Sequence, residues 1–380
     1  MNQQYRIPLN KPGICGNELL YIAEAILGGH SAGDGPFTKR AQNLLAELLG
    51  AQKVLLTTSC TDALEMAALL LDIGPGDEVI VPSFTFVSTI NAFVLRGAIP
   101  VFVDVQEDTL NLDPSKLREA ITSRTKLIVA VHYAGVGCEM DEICPIAQEY
   151  GIPLVEDNAH GLLATYKGKM LGTFGSLATL SFHETKNIIC GEGGALIIND
   201  PRYIERAEIL REKGTNRSRF FRGQVDKYTW VDIGSSFLPS DILAAFLYAQ
   251  LERRNEIIAK RRKVWCRYYE ALSPWAIKSG VRLPFTPSYC EHPSHMFYLL
   301  FPTPQARHNC IEHLKERYIM SAFHYLPLHL SDMGQKFGGK EGSCPVTESV
   351  SDRLLRLPLY NDLSPAEQDQ VIAAVCEFSV

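Results

Sequence analysis

The chain has 380 residues, of which 46% are hydrophobic and 21% are charged, and its formal net charge is −6. This length predicts about two domains, and a mildly acidic chain without a basic block argues against a nucleic-acid-binding surface. No apolar run is long enough to span a membrane, and the polar segment Met1–Arg6 lacks the apolar core of a signal peptide. We therefore expect a cytoplasmic globular protein.

The chain begins with two predicted helices, at residues 17–27 and 38–49, separated by the glycine-rich loop Gly28–Gly35. Strands and helices then alternate. The predicted strands are 54–57, 78–81, 100–104, 126–132 and 153–157, and the helices between them are 62–71, 88–95, 114–121 and 141–150. Because the strands are apolar throughout, they predict an α/β fold with a mostly parallel sheet covered by helices.

The second half begins with an apolar run at 176–180, a strand at 195–198 and a helix that ends near Arg211. Glu212–Trp230 is a long polar and aromatic segment, whose arginines suit anionic groups or a solvated surface loop. A helical pattern at 241–269 then leads to a strand at 296–301 and helices at 305–316 and 364–378. We place the domain boundary at 245/246, between a large domain (1–245) and a smaller C-terminal α+β domain (246–380).

The cysteines and two nearby histidines do not form a recognisable metal motif. Ten cysteines are scattered along the chain without a C-x-x-C pair, which predicts reduced thiols rather than a disulfide framework or zinc site. His292 and His295 lack a companion ligand pattern, so we expect a surface pair and no metal.

Lys186 follows the apolar run at 176–180 and precedes the glycine-rich segment Gly191–Gly194. The side chain of a lysine at the end of a buried strand is in a position where it can be desolvated. Desolvation favours the neutral amine, which can attack a carbonyl carbon. A solvated surface lysine is the alternative that this segment alone leaves open.

Other strand ends carry residues that suit the same chemistry, since ligands of such sheets bind at the carboxyl ends of the strands. Ser59 and Thr61 lie between a strand and a helix, where hydroxyl and backbone N–H groups cradle a phosphate or simply cap the helix. Asp157 ends a strand, where its carboxylate can keep a pyridine nitrogen protonated or cap the next turn.

Aromatic side chains follow a third strand. Phe84 and Phe86 come after the strand at 78–81, and an aromatic residue at this place stacks on a planar ring or packs in the core. Together with Lys186, Asp157 and the phosphate cradle, they predict a pyridoxal phosphate site.

These stretches resemble the nucleotide-sugar aminotransferases of the DegT/DnrJ/StrS family, which are fold type I enzymes dependent on pyridoxal 5'-phosphate. The resemblance covers essentially the whole chain, and within the family it is closest to the dTDP-4-amino-4,6-dideoxygalactose transaminases. The stretches that carry it are GDGPFTKR from Gly33, LLTTSCTDALEMAALLL from Leu55, DEVIVPSFTFVST from Asp77, VEDNAHG from Val155, SFHETKN from Ser181 and REKGTNRSRFFRGQVDKYTW from Arg211.

The resemblance implies roles for particular residues. Lys186 matches the lysine that binds the cofactor covalently, Asp157 the partner of the pyridine nitrogen, and Phe86 the stacking aromatic residue. Ser236 stands where many relatives carry an asparagine that reaches the partner subunit's cofactor phosphate. The implied cofactor-binding set is Lys186, Asp157, His160, Ser59, Cys60, Thr61, Phe86, Ser181 and Ser236, and the implied substrate-binding set is Lys213, Arg217 and Arg222.

The resemblance also implies L-glutamate and a dTDP-keto-sugar as substrates, and a homodimer with shared active sites. Two alternatives stay open: an aminotransferase for another keto nucleotide sugar, acting at C3 or giving another configuration, and a non-catalytic sugar-nucleotide-binding protein. Lys186 disfavours the dehydrating branch of the family, which carries histidine there. A dehydrogenase is disfavoured because no G-x-G-x-x-G follows the first strand.

Overall fold

The computed structural model describes residues 5–380 and contains three sheets surrounded by helices. The strands are β1 (Lys53–Thr57), β2 (Glu78–Pro82), β3 (Ile99–Val103), β4 (Thr125–Val131), β5 (Leu154–Asp157), β6 (Thr165–Tyr166), β7 (Lys169–Met170), β8 (Leu177–Ser181), β9 (Gly194–Ile198), β10 (Cys290–Glu291), β11 (Phe297–Leu300) and β12 (Leu354–Leu357). The α-helices are α1 (Glu18–Leu27), α2 (Pro36–Leu49), α3 (Cys60–Leu70), α4 (Ser88–Val94), α5 (Leu117–Ala120), α6 (Met140–Glu149), α7 (Ile204–Arg211), α8 (Arg217–Phe221), α9 (Asp241–Glu252), α10 (Arg254–Ser279), α11 (Pro304–Glu316), α12 (Asp332–Lys336), α13 (Pro345–Arg353) and α14 (Pro365–Glu377).

The large sheet has seven strands in the order β1-β9-β8-β5-β4-β2-β3. β9 runs antiparallel to both of its neighbours, and all other neighbouring pairs are parallel. The predicted mostly parallel sheet is therefore confirmed. Since β9 is reversed, its first residue, Gly194, lies beside the last residues of β1 and β8, Thr57 and Ser181.

Helices cover both faces of this sheet because alternate strand residues point to opposite sides. Leu55 of β1 packs in the cluster that contains α3, whereas its neighbours Val54 and Leu56 pack with α2 and α9. Strands buried on both faces are apolar throughout, which explains why the sequence pattern identifies them.

The C-terminal part has its own hydrophobic core and an α+β arrangement. The antiparallel pair β11–β12 packs with α10, α11 and α14 through Tyr268, Phe297 and Leu355, among others. Ile7 joins this core, and the 245/246 division falls inside α9, whose Ala245 packs with the large sheet. The domain division stays a prediction.

Several predicted elements differ in detail from the structure. The helix expected at 114–121 is a 3₁₀ turn at Pro114–Lys116 followed by the short α5. The pattern at 241–269 is two helices, since Arg253 between α9 and α10 has the non-helical torsions φ −97°, ψ 10°. The segment Glu212–Trp230, expected to be irregular, contains α8.

Within residues 5–380, none of the helices has both the length and the apolar character that a membrane crossing requires. All ten cysteines are free thiols. The cytoplasmic location stays a prediction.

Candidate active site

A cavity of about 830 Å³ lies at the carboxyl ends of the strands of the large sheet. Its wall also includes residues from the C-terminal part of the chain, at 322–328 and 356–359. Most of the residues singled out from the sequence line this cavity: Ser59, Cys60, Thr61, Phe86, Asp157, His160, Ser181 and Lys186. The strand ends thus bring together residues that are up to 127 positions apart in the chain.

Lys186 lies in the loop between β8 and β9, where its backbone N–H donates to the carbonyl oxygen of His183 at 2.9 Å. Burial lowers the pKa of its ammonium group from the ordinary 10.5, and although the nearby Cys60 and Asp157 oppose this effect, the Arg356 cation adds to it. A lysine with a lowered pKa holds more neutral amine at physiological pH, and the neutral amine is the nucleophile and base.

Asp157 ends β5 and is only 6% exposed. Its Oδ2 accepts a hydrogen bond from the Thr89 hydroxyl at 2.7 Å, and its Oδ1 accepts one from the Ala159 N–H at 3.2 Å. Thr89 in turn lies 2.8 Å from the Thr85 hydroxyl. These bonds fix the carboxylate at the cavity wall, where its remaining lone pairs can accept a hydrogen bond from a ligand N–H group.

His160 presents an unsatisfied ring nitrogen in the cavity. Its Nδ1 is buried without a hydrogen-bond partner in residues 5–380, and its Nε2 is 3.5 Å from the Tyr325 hydroxyl. Burial, with a smaller contribution from the Lys186 cation, lowers the pKa of His160 well below 6.5. The imidazole is therefore neutral at pH 7, and its free nitrogen is available to a polar ligand group.

The segment before α3 forms a cradle with the right chemistry for a phosphate. Ser59 caps α3 by accepting from the Asp62 N–H at 3.0 Å, and the first N–H groups of the helix that follows have no intrahelical partner. Gly194 lies so close that a Cβ there would be 2.3 Å from the carbonyl carbon of Ser59. Ser181 pairs with Gly194 from the other side and lines the same cavity.

Residues 14–376 match the model of the DegT/DnrJ/EryC1/StrS aminotransferase family. The chain belongs to this family. It is 34% identical to the spore coat polysaccharide biosynthesis protein SpsC of Bacillus subtilis over 377 residues, which cover 97% of this chain and 96% of SpsC.

Solved structures of aminotransferases have the same fold. The aminotransferase TlmJ from Streptoalloteichus hindustanus matches with a TM-score of 0.89 and 32% identity, covering 97% of both chains. Spr1654 from Streptococcus pneumoniae, assigned as a sugar aminotransferase and solved in its pyridoxal phosphate form, matches with a TM-score of 0.90 and 28% identity, covering 98% of both chains. The present enzyme is therefore a fold type I aminotransferase that depends on pyridoxal phosphate.

The cavity of this aminotransferase fits its cofactor. The cradle before α3 offers N–H groups and hydroxyls to a phosphate, and the fixed carboxylate of Asp157 suits a pyridine N–H. The unsatisfied Nδ1 of His160 suits a ring hydroxyl. Burial raises the pKa of Cys60, so its thiol stays uncharged beside the phosphate.

The two phenylalanines after β2 have different surroundings. Phe86 lines the cavity and is 56% exposed, whereas Phe84 is 1% exposed. Phe84 packs against Tyr133 and Tyr325, with ring centroids 5.1 and 5.7 Å apart. Phe86 is thus free to cover a planar ring, and Phe84 belongs to the core.

Four residues that the sequence assigned to the site lie outside the cavity of their own chain. Lys213 and Arg217 pair with Glu212 at 3.2 and 3.1 Å, and Arg222 pairs with Glu208 at 2.7 Å. Ser236 is exposed. The next residue, Phe237, accepts a hydrogen bond from the Thr58 N–H, so this segment still adjoins the phosphate cradle.

The expectation that His292 and His295 form a surface pair is wrong for His295. His295 is buried in the cavity wall, and its ring stacks on that of His160 with centroids 4.3 Å apart. The Asn187 amide donates to the Pro293 carbonyl oxygen, so its own oxygen accepts from His295 Nδ1 at 2.9 Å. Sequence spacing does not reveal this placement because the contact joins the two parts of the chain.

Sequence reasoning also missed three cavity residues from the C-terminal part: His324, Tyr325 and Arg356. The ring of His324 stacks on that of Tyr325, with centroids 3.6 Å apart, and its Nδ1 is 3.0 Å from the Tyr133 hydroxyl. The only signal in the sequence is the charge of Arg356 within the otherwise apolar strand β12.

Proposed function

We propose that this aminotransferase transfers the amino group of L-glutamate to C4 of dTDP-4-dehydro-6-deoxy-D-glucose. The products are dTDP-4-amino-4,6-dideoxy-D-galactose and 2-oxoglutarate. The observation that carries the amino transfer is the meeting of Lys186, Asp157 and His160 in one cavity. The resemblance of the stretches from Gly33 and Arg211 to the dTDP-4-amino-4,6-dideoxygalactose transaminases supports the choice of sugar.

The names of two similar proteins support a sugar substrate. SpsC is named for spore coat polysaccharide biosynthesis, and Spr1654 is assigned as a sugar aminotransferase. We propose that the product enters the biosynthesis of a surface polysaccharide, such as lipopolysaccharide O-antigen or enterobacterial common antigen, in the cytoplasm.

Lys186 has the central role in the proposed reaction. When bound, pyridoxal phosphate supplies an electron sink that allows the α-carbon of the donor to lose a proton. The Nζ of Lys186 is the group that would hold the cofactor, and once the donor amine has taken its place, the free amine would take the α-proton as general base. In the second half of the reaction, the same Nζ delivers a proton to C4 of the sugar and thereby sets its configuration.

The other cavity residues would hold the cofactor in place for this proton transfer. Asp157 would accept from the pyridine N–H, His160 would bond the ring hydroxyl, and Phe86 would cover the ring. The phosphate would be held by backbone and side-chain hydrogen bonds from Ser59, Cys60, Thr61 and Ser181.

We also propose a homodimer in which Ser236, Lys213, Arg217 and Arg222 serve the partner's cavity. The segment that carries them exposes large apolar side chains, including Trp230 at 76% and Phe221 at 70%. Exposed apolar side chains grouped in one segment mark a protein-interaction site in many proteins, and homodimers with self-complementary interfaces are the commonest assembly.

The product identifies the substrate. The purified enzyme is incubated with L-glutamate and dTDP-4-dehydro-6-deoxy-D-glucose, or with its 3-keto isomer, and the proton couplings of the amino sugar are measured by NMR. We expect a 4-amino product with the galacto configuration. A 3-amino product, or one with the gluco configuration, would show that the enzyme makes a different amino sugar from the one proposed. Binding of the sugar nucleotide without any product would favour the non-catalytic alternative.

A further inference from the structure

His160 has few contacts of its own that fix the plane of its imidazole ring. Its Nδ1 is buried without a hydrogen-bond partner among residues 5–380, and its Nε2 lies 3.5 Å from the Tyr325 hydroxyl, at the outer limit of a hydrogen bond. Rotamer preference does not fix the plane either, because the torsion that turns a histidine ring has only broad minima. The direction in which Nδ1 points therefore depends on the rings packed around His160.

His295 is the closest of these rings. It lies two residues before β11, and its ring is inclined by 22° to that of His160 at a centroid distance of 4.3 Å. The rings of Tyr133 and His324 are both 6.2 Å away. Because buried side chains are closely packed, a flat neighbour at the shorter distance restricts rotation of the His160 ring.

His295 is itself held by its side chain and by its backbone. The Asn187 amide donates to the Pro293 carbonyl oxygen at 2.7 Å, so its own oxygen accepts from His295 Nδ1 at 2.9 Å. Arg261 donates to the carbonyl oxygen of His295 at 2.7 Å. The orientation of the His295 ring is thus set by Asn187, which is the residue next to Lys186 in the chain.

His295 is also uncharged at neutral pH. Burial lowers its pKa well below 6.5, and the cations of His160, Lys186 and Arg261 lower it further. A neutral imidazole carries one N–H, which in His295 is the Nδ1–H that Asn187 accepts. The ring can therefore support His160 without adding a second positive charge beside Lys186.

We propose that His295, anchored by Asn187, is a positioning residue that acts through His160 on the ring hydroxyl of the cofactor. This inference rests on the proposed function, in which His160 would bond that hydroxyl. The stack would keep the Nδ1 of His160 directed at the hydroxyl. The loop that carries Lys186 would then serve both the attachment of the cofactor and, through Asn187, the bond to its ring.

The test uses the apoenzyme and two compounds, pyridoxal 5'-phosphate and 3-deoxypyridoxal 5'-phosphate, which lacks the ring hydroxyl. The Kd of each is measured by absorbance titration, and the Kd of the analogue is divided by that of the cofactor. This ratio reports the bond to the hydroxyl alone. A merely structural role of His295 would weaken the binding of both compounds equally and leave the ratio unchanged.

The variants are His295→Leu, His295→Phe, His160→Leu and the double variant with leucine at both positions. The control is His313→Leu, which removes a histidine of α11 that lies outside the cavity wall and 2.8 Å from the Ala374 carbonyl oxygen.

For the wild type we expect a ratio of about 2 to 10, the contribution of one hydrogen bond. His160→Leu and His295→Leu should each reduce it to about 1. His295→Phe should lie between them and the wild type, since it keeps a flat ring but loses the bond to Asn187. The double variant should have the ratio of His160→Leu, and His313→Leu that of the wild type. A wild-type ratio in both His295 variants would overturn the inference, and so would a double variant whose ratio differs from that of His160→Leu.

The outcomes for His160 separate this inference from the proposed function. If the wild type binds both compounds equally well, His160 does not bond the ring hydroxyl, and the role that the proposed function gives it fails together with this inference. If the ratio falls in His160→Leu but not in His295→Leu, only the positioning role of His295 is wrong.

Discussion

Gly194 allows the start of β9 to lie against the backbone that precedes α3, and replacing it with alanine tests the phosphate cradle. A Cβ at this position would be 2.3 Å from the carbonyl carbon of Ser59 and 2.4 Å from the nitrogen of Cys60, whereas ordinary contacts begin at 3.4 Å. Both atoms belong to the backbone, so no side-chain rotation relieves the clash. The cradle must move by about 1 Å, which breaks a hydrogen bond of ordinary length.

The expected effects are large for a single methyl group. A hydrogen bond to a charged group contributes about 1.5–3 kcal/mol, so Gly194→Ala should raise the Kd for pyridoxal phosphate by about 10- to 100-fold for each bond lost. Overpacking should lower the free energy of unfolding of the apoenzyme by about 1–3 kcal/mol. Absorbance titration of the apoenzyme with cofactor and urea denaturation measure the two quantities.

Gly74→Ala is the matched control. A Cβ at Gly74 meets no atom within 4 Å, so this variant should bind the cofactor as the wild type does. The reasoning would be refuted if Gly194→Ala and Gly74→Ala had the same cofactor affinity and the same stability.

Three further predictions concern Asp157, Lys186 and the dimer. Thr89→Val removes the hydroxyl that donates to Asp157 at 2.7 Å while keeping the side-chain shape. It should lower kcat about tenfold with the cofactor still bound, and an unchanged kcat in a steady-state assay would contradict this. Because burial lowers the pKa of Lys186 below 10.5, the unfolded apoenzyme binds a proton that the folded one does not at pH values between the two pKa values. The free energy of unfolding should therefore rise with pH through that window. In urea denaturation, Lys186→Met should reduce this rise. A variant whose stability depends on pH as strongly as that of the wild type would contradict the prediction. Trp230→Glu places a charge on the exposed apolar segment and should turn the proposed dimer into a monomer, as measured by analytical ultracentrifugation. A variant that stays dimeric would show that this segment is not the interface.

The sequence reveals much of the large sheet because the relevant signals are local. β2 is buried at all five positions, and the four from Val79 to Pro82 are apolar; amphipathic helices lie between such strands. The reversed direction of β9 has no local signal, since an antiparallel strand buried on both faces reads like a parallel one. The two-residue strands β6, β7 and β10 are too short to produce a period.

The same contrast holds for the cavity. Ser59, Phe86, Asp157 and Lys186 could be predicted because each ends or follows a strand, and the carboxyl ends of parallel strands meet at one edge. Arg356 could not, since it reaches the cavity only through the packing of the C-terminal part on the sheet.

The most direct test of the account is an absorbance spectrum of the purified protein before and after addition of L-glutamate, beside a Lys186→Ala variant. The account predicts that the wild type has the visible band of lysine-bound pyridoxal phosphate, that glutamate converts it to the pyridoxamine phosphate form, and that the variant does not complete this conversion. A cofactor-saturated wild type without that band and without a response to any amino donor would contradict the central claim.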